Sequence, residues 1–249
     1  MSAAPHAALI TGAAGGIGRA LCAAFTVAGY AVIATDRGPA EIPDVLYLPL
    51  DLAAFTRDQA MRTRFHQQVV QALAGAPLAA LVNNAAQQIL GTTGPRSVDD
   101  LHASLEINVA APLALVTNLL ELLAAARGTV VNIGSVHAVQ SKPGFLAYAV
   151  SKAALAGLTR SLALDLAPRG IRVNEIRPGA TATSMLLAGF DGDPQALTRL
   201  ADHQPLGRLA EPAEIAAVAV MLASPGASFV TGAAVQVDGG ISVRLHDPL

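Results

Sequence analysis

Seven short apolar runs separated by longer helical patterns constrain this chain most. Ala7–Thr11, Ala31–Thr35, Val45–Leu50, Ala79–Asn83, Thr129–Ile133, Arg172–Ile176 and Ala234–Val237 read as strands. Gly16–Ala28, Arg57–Leu73, Val98–Ala126, Tyr148–Leu166 and Pro212–Ala223 read as helices. Strands alternating with helices require right-handed crossovers, which predict a parallel sheet covered on both faces. The expected class is α/β, in three α/β/α layers. At 249 residues, without repeat or convincing linker, one domain over residues 1–249 is expected.

Fourteen residues separate Asp36 from Asp51, with Pro39 and Pro43 among them. A strand and a full helix do not both fit there, so this crossover is expected as a loop. Residues 181–210 hold Gly189, Gly192, Pro194 and Pro205 among helical fragments after a strand end. Open α/β sheets bind ligands at such ends, so this segment reads as a substrate lid or as an irregular connection.

The apolar fraction is 53% and mean hydropathy +0.48, yet no run reaches the roughly 18 residues of a membrane span. The first apolar stretch lacks a basic leader and carries glycines, so it reads as a structural element rather than a signal peptide. Cys22 is the one cysteine and forms no intrachain disulfide. Cytoplasmic location is the expectation. Net charge is −2, with no basic run, which argues against nucleic acid. No metal ligands are assigned. Surplus apolar surface without a span predicts helices buried between subunits.

Thr11-Gly12-Ala13-Ala14-Gly15-Gly16-Ile17-Gly18 follows the first strand and opens the first helix. Glycines permit a tight turn and close approach to a pyrophosphate, which then faces free helix N–H groups. Gly12, Gly16, Ile17 and Gly18 are thus cofactor candidates. Asp36 ends the second strand, eighteen residues after Gly18. Its carboxylate suits ribose hydroxyls and repels a 2′-phosphate, so NAD is expected over NADP. Arg37 is the one signal the other way. Asp51, beside Leu52, either accepts from the adenine amino group or caps the next segment. Asn83-Asn84-Ala85-Ala86 ends the fourth strand, with small residues that admit the cofactor's edge.

Tyr148 and Lys152 stand four apart, on one face of a helix. A nearby positive charge favours a phenolate, so Tyr148 reads as a base for an alcohol proton. Ser135, thirteen residues upstream, supplies a hydroxyl for the reacting oxygen. Asn108 sits in a helical pattern that asparagine disfavours, either for a reason or as a tolerated polar residue.

Taken together, these residues resemble the short-chain dehydrogenase/reductase family. The match includes Thr11-Gly12-x-x-x-Gly16-Ile17-Gly18, Asn83-Asn84-Ala85, Asn108, Ser135, Tyr148-x-x-x-Lys152, Pro178-Gly179 and Val237-Asp238-Gly239-Gly240. The resemblance implies a Rossmann-like, doubly wound seven-stranded sheet and nicotinamide-dependent oxidoreduction. It implies a tetrad of Asn108, Ser135, Tyr148 and Lys152, with Asn108 helping hold a water that connects Lys152 to solvent. Lys152 would also bond the nicotinamide ribose, and the turn at Pro178, Gly179, Thr181 and Thr183 would hold its carboxamide by backbone. The two threonines read equally as caps of the following helix. A homotetramer is implied too. Departures are Ala86, where the family usually has glycine, and Thr181, where it has an aliphatic residue.

His137, Gln88 and Lys142 lie where they can meet a substrate, and this polar set favours a small, oxygen-rich molecule. Gln88 and His137 fall where 3-hydroxybutyrate dehydrogenases carry pocket residues, but Phe145 replaces the lysine used there. The short Asp36–Asp51 connection and Pro178–Thr183 are similar to dihydrodiol dehydrogenases, and sugar or polyol dehydrogenases stay open. The expected function is an NAD-dependent dehydrogenase acting on a small polar secondary alcohol. The alternatives are a non-catalytic NAD-binding regulator, or a 3-ketoacyl reductase, which Asp36 and the weak net charge disfavour.

Overall fold

The computed structural model describes residues 6–190 and 193–245. From the N-terminus run β1 (Ala7–Thr11), α1 (Gly16–Val27), β2 (Ala31–Thr35), β3 (Leu46–Tyr47), α2 (Leu52–Arg57), α3 (Gln59–Leu73) and β4 (Leu78–Asn83). Then come α4 (Ser97–Leu105), a π turn (Glu106–Ala110), α5 (Ala111–Asn118), α6 (Leu120–Ala126), β5 (Thr129–Ile133), α7 (Leu146–Leu166) and β6 (Arg172–Pro178). α8 (Ser184–Ala188), α9 (Pro194–His203), α10 (Pro212–Ala223) and β7 (Ala234–Val237) complete the order.

The strands form one seven-stranded parallel sheet in the order β3-β2-β1-β4-β5-β6-β7. Alternate side chains along each strand feed two cores. Leu9, Ile33, Leu81, Val130 and Val173 pack with Phe65, Leu115, Leu123 and Leu162 of α3, α5, α6 and α7. Ile10, Val82, Val131 and Ile176 pack with Leu21 and Phe25 of α1 and Ile215 and Leu222 of α10. Each fully buried side chain of this size contributes about 1.5–3 kcal/mol. This is the doubly wound, Rossmann-like arrangement expected. Strand order reverses between β1 and β4, which opens a crevice at the C-terminal strand ends.

Several element boundaries differ from those the sequence suggests. β3 covers two residues instead of Val45–Leu50. Its backbone still follows β2, with Leu48 donating to Ala34 O and Leu50 to Asp36 O, but Pro49 between them has no N–H to give. The predicted helix Arg57–Leu73 begins at Gln59, after a separate α2 that the sequence did not suggest, because Asp58 leaves helical geometry and its carboxylate caps α3 at Ala60 N, 2.7 Å away.

The single helix expected over Val98–Ala126 is broken twice. Pro112 has no N–H for the Asn108 carbonyl, its partner at α-helical spacing. The chain loosens there, and Ala111 N donates five residues back, to Glu106 O. At Leu119 the axis turns by 64° between Ser97–Asn118 and Leu120–Ala126. There His66 takes the Asn118 carbonyl at 2.8 Å, so α3 supports the bend. Finally, β6 runs on through Pro178 rather than stopping at Ile176.

The Asp36–Asp51 connection holds no helix, as expected. The predicted lid contains α8 and α9. Its two ends are pinned together, with Ala182 N on Ala210 O at 2.8 Å and Ala210 N on Ala180 O at 2.9 Å. Gly192 and tail residues 246–249 lie outside the described residues. Among the described residues, no single helix is long and apolar enough to cross a membrane.

Candidate active site

The glycine turn closes tightly under the crevice. Gly12 has φ +64°, and a Cβ there would stand 2.7 Å from Ala85 Cα. A Cβ on Gly18 would stand 2.0 Å from Gly12 O, and one on Gly16 would stand 3.0 Å from Thr183 Cγ2. No side chain caps the N-terminus of α1 at Gly15, so its first N–H groups face the crevice without a protein acceptor. Ile17 packs into the α1 side of the core.

Two residues fasten β4 to this turn. Thr11 Oγ1 accepts from Asn84 N and Ala85 N, each at 3.0 Å. Asn84 Nδ2 donates to Thr11 O and Gly12 O, also at 3.0 Å. Asn83 points elsewhere: it is buried and donates to Asn132 Oδ1 at 2.8 Å. Only the Asn83 backbone is left to face a cofactor.

Asp36 lies beside the same turn, accepting from Ala14 N at 3.0 Å and Arg37 N at 2.7 Å. Asp51 caps α2, with Oδ1 accepting from Ala53 N at 2.9 Å and Ala54 N at 3.2 Å. Leu52 is the first residue of that helix. At the end of β6, Gly179 approaches Asp238, whose Cα would lie 2.9 Å from an added Cβ. Thr181 is buried and donates to Gly179 O at 3.2 Å. Thr183 caps α8, accepting from Leu186 N at 3.3 Å.

The sheet and α7 bring Ser135, Tyr148 and Lys152 to one place. Ser135 follows β5 and accepts from His137 N at 3.1 Å. Lys152 is 2% exposed and donates to Ile133 O at 2.7 Å. Its Nζ lies 5.6 Å from the centre of the Tyr148 ring. Burial lowers the Lys152 pKa to about 8, while Glu175 raises it. Burial raises the Tyr148 phenol above its usual value, and hydrogen bonding with Ser135 opposes that. The sequence expects Lys152 to lower the phenol. In the protein itself burial raises the phenol instead, and the ammonium spends a hydrogen bond on the Ile133 carbonyl.

Asn108 is buried in the π turn. It accepts from Gln87 N at 2.7 Å and donates to Gln87 O at 2.9 Å and Ser151 Oγ at 2.8 Å. Ser151 Oγ in turn donates to Tyr148 O at 2.7 Å. The Asn108 side chain therefore joins the loop after β4 to α7, and its backbone carbonyl is the group Pro112 leaves without its i+4 donor. At the start of the turn, Glu106 pairs with Arg57 and accepts from Thr56 Oγ1 at 3.0 Å, which fixes the same segment from α2.

His137 stacks on Phe145 at 4.3 Å and meets the Tyr148 ring edge-on at 5.9 Å. Its Nδ1 is buried with no hydrogen-bond partner among the described residues. Burial, then the charge of Lys142, lowers its pKa below 6.5. Lys142 is exposed, with Nζ 4.7 Å from the Phe145 ring centre. Gln88 is half-buried, and no hydrogen bond brings its side chain to this group.

A family model described as enoyl-(acyl carrier protein) reductase matches residues 12–242. FixR of Bradyrhizobium diazoefficiens is 40% identical, over 95% of this chain and 86% of that protein. Galactitol 2-dehydrogenase (L-tagatose-forming) of Cereibacter sphaeroides is 36% identical, over 95% and 94%. Ligand-free aldohexose dehydrogenase of Thermoplasma acidophilum superposes with a TM-score of 0.90 at 27% identity, over 98% and 97%. The chain belongs to the short-chain dehydrogenase/reductase family. Membership makes it an oxidoreductase of CH–OH groups that uses a nicotinamide cofactor.

As a member of this family, the chain fits such a cofactor. Gly12, Gly16 and Gly18 form a cradle that a Cβ would fill, beside a carboxylate and open helix N–H groups. Three residues that support the site escaped the sequence reading as separate parts. Asn84 and Thr11 were visible only inside motifs. Ser151 gave no signal, because a helical serine is ordinary.

Proposed function

We propose that this protein is an NAD-dependent dehydrogenase that interconverts a small polar secondary alcohol and its ketone. The observation that carries this reading is the convergence of Ser135, Tyr148 and Lys152 at the strand ends, next to a glycine cradle flanked by Asp36.

A nicotinamide cofactor in that cradle supplies the hydride acceptor. Gly12, Gly16, Ile17 and Gly18 hold its pyrophosphate, and Asp36 accepts from the adenosine ribose hydroxyls. Asp51, Leu52, Asn83 and Ala85 line the adenine side. Pro178, Gly179, Thr181 and Thr183 hold the carboxamide side by backbone. Ser135 donates to the substrate oxygen and fixes it near the phenol. Tyr148 removes the alcohol proton during oxidation and returns it during reduction. Lys152 holds the phenolate electrostatically and reaches the nicotinamide ribose. Asn108 would hold, at the backbone carbonyl that Pro112 leaves without its i+4 donor, a water that connects Lys152 to solvent.

His137 directs the substrate choice. Its buried Nδ1 wants a partner, and a neutral imidazole beside Tyr148 suits a second hydroxyl better than a hydrocarbon. Gln88 supports the same end of the pocket. The galactitol and aldohexose enzymes are relatives with polyhydroxy substrates in their names, which supports a polyol or sugar. The test is purified protein with NAD against polyols, aldohexoses, hydroxy acids and dihydrodiols, read as NADH absorbance. Turnover of one class with NAD supports the reading, and turnover only of 3-ketoacyl substrates with NADPH opposes it.

The same reading includes a cytoplasmic homotetramer. Leu164 of α7 is 78% exposed and Leu113 of α5 43%. Apolar side chains on these two neighbouring helices are suited to burial against other subunits.

A further inference from the structure

β6 carries two charges into the protein interior. Glu175 is 1% exposed and Arg177 8%. Burying ionised groups is costly unless they are paired. Arg177 Nη2 pairs with Glu175 Oε2 at 3.1 Å. The pairing is incomplete, because Glu175 Oε1 and Arg177 Nε have no hydrogen-bond partner among the described residues.

The unpartnered oxygen lies against the peptide that holds Lys152. A Cβ on Gly134 would stand 2.0 Å from Glu175 Oε1, so glycine is the residue that fits. The preceding carbonyl, Ile133 O, accepts from Lys152 Nζ at 2.7 Å. Parallel pairing of Asn132 with Glu175 keeps the carboxylate beside this point.

We propose that Glu175 is a positioning residue for Lys152: its carboxylate keeps the buried ammonium charged, and Arg177 limits how strongly it does so. This inference rests on the proposed role of Lys152.

The charged and titratable groups on the elements around Lys152 are few. α7 carries Tyr148, Arg160 and Asp165. His137 precedes it, and Arg169 follows it, paired with Glu121. α4 offers Asp99, Asp100 and His102, with Asp100 paired to Arg96. The π turn offers Glu106, paired to Arg57. Arg172 of β6 donates to Leu222 O and Val230 O instead. Among all these, Glu175 is the one whose charge bears on Lys152, and it opposes the lowering by burial. Burial raises the Glu175 pKa, and Arg177, Lys152 and Arg160 oppose that by favouring the carboxylate.

The chain has two lysines, Lys142 and Lys152. Carbon-13 at the lysine ε-carbon therefore gives one exposed and one buried resonance, whose titration needs no substrate. In Glu175→Gln the Lys152 midpoint should fall by about one pH unit or more. Glu175→Asp should hold it above that of the Gln variant. In Arg177→Gln, where the carboxylate loses its competing cation, it should rise. Lys142 should stay in place throughout. A purely structural role for Glu175 would lower the melting temperature of Glu175→Gln and leave the Lys152 midpoint unmoved. If Glu175→Gln does not fold, Arg177→Gln decides by whether the midpoint rises. An unmoved Lys152 midpoint in every folded variant overturns the proposal. Normal turnover by Tyr148→Phe would instead overturn the proposed reaction, which these titrations do not measure.

Discussion

Asn108 Nδ2 donates to Ser151 Oγ at 2.8 Å, tying the π turn to the helix that carries Tyr148 and Lys152. The same side chain satisfies both backbone groups of Gln87. Asn108→Ala strands the buried Ser151 hydroxyl and the part-buried Gln87 backbone groups and should cost about 1–3 kcal/mol of stability. It should also lower kcat at least tenfold. Denaturant titration and steady-state kinetics check the two effects. Pro112→Ala separates them, because it returns an N–H to the Asn108 carbonyl without touching the side chain. A reduced kcat is expected there, and an unchanged kcat argues against the carbonyl's part in proton transfer.

Asp36 sets the cofactor preference. Asp36→Ala removes the acceptor for ribose hydroxyls and the repulsion against a 2′-phosphate, with Arg37 left in place. KM for NAD should rise about tenfold, and KM for NADP should fall. Equal kcat/KM for the two cofactors in the wild type would contradict the NAD assignment.

His137 should act as a neutral group. Burial and Lys142 place its folded pKa below 6.5. Above pH 6.5 it is neutral in folded and unfolded chains alike, so its favourable contribution to stability is fully present. As pH falls from 6.5 through the lower folded pKa, that contribution is lost. Histidine ring NMR should show a midpoint below 6.5, and Lys142→Ala should raise it. A midpoint above 6.5 in the wild type would contradict this. His137→Ala should raise substrate KM about tenfold while leaving NAD binding in place.

Most of the fold was legible because strand and helix periods differ so plainly. Leu9 and Ile10, adjacent in β1, enter the two different cores, as strand alternation requires. Gly12, Gly16 and Gly18 were legible because a turn this tight has few chemical solutions. The breaks were less so. Val98–Ala126 reads as one helix because apolar spacing persists through the π turn, and Pro112 was the sign that it would not. Asn83 and Asn84 look equivalent in sequence, yet strand alternation sends one into the interior and the other to Gly12. Glu175 and Arg177 were a missed signal: two charges inside a buried parallel strand require an explanation.

Assembly follows from surface left apolar. With Leu164, Val150 and Leu113 exposed on α7 and α5, light scattering at micromolar concentration should give a tetramer. Leu164→Glu should shift the population toward smaller species. A wild-type monomer would contradict the assembly.

The most direct test is Tyr148→Phe, measured as NADH formation with the best substrate from the panel and, separately, as NAD binding by calorimetry. The account predicts that kcat falls about a thousandfold or more while the dissociation constant for NAD changes little. Near-normal kcat in Tyr148→Phe would contradict it.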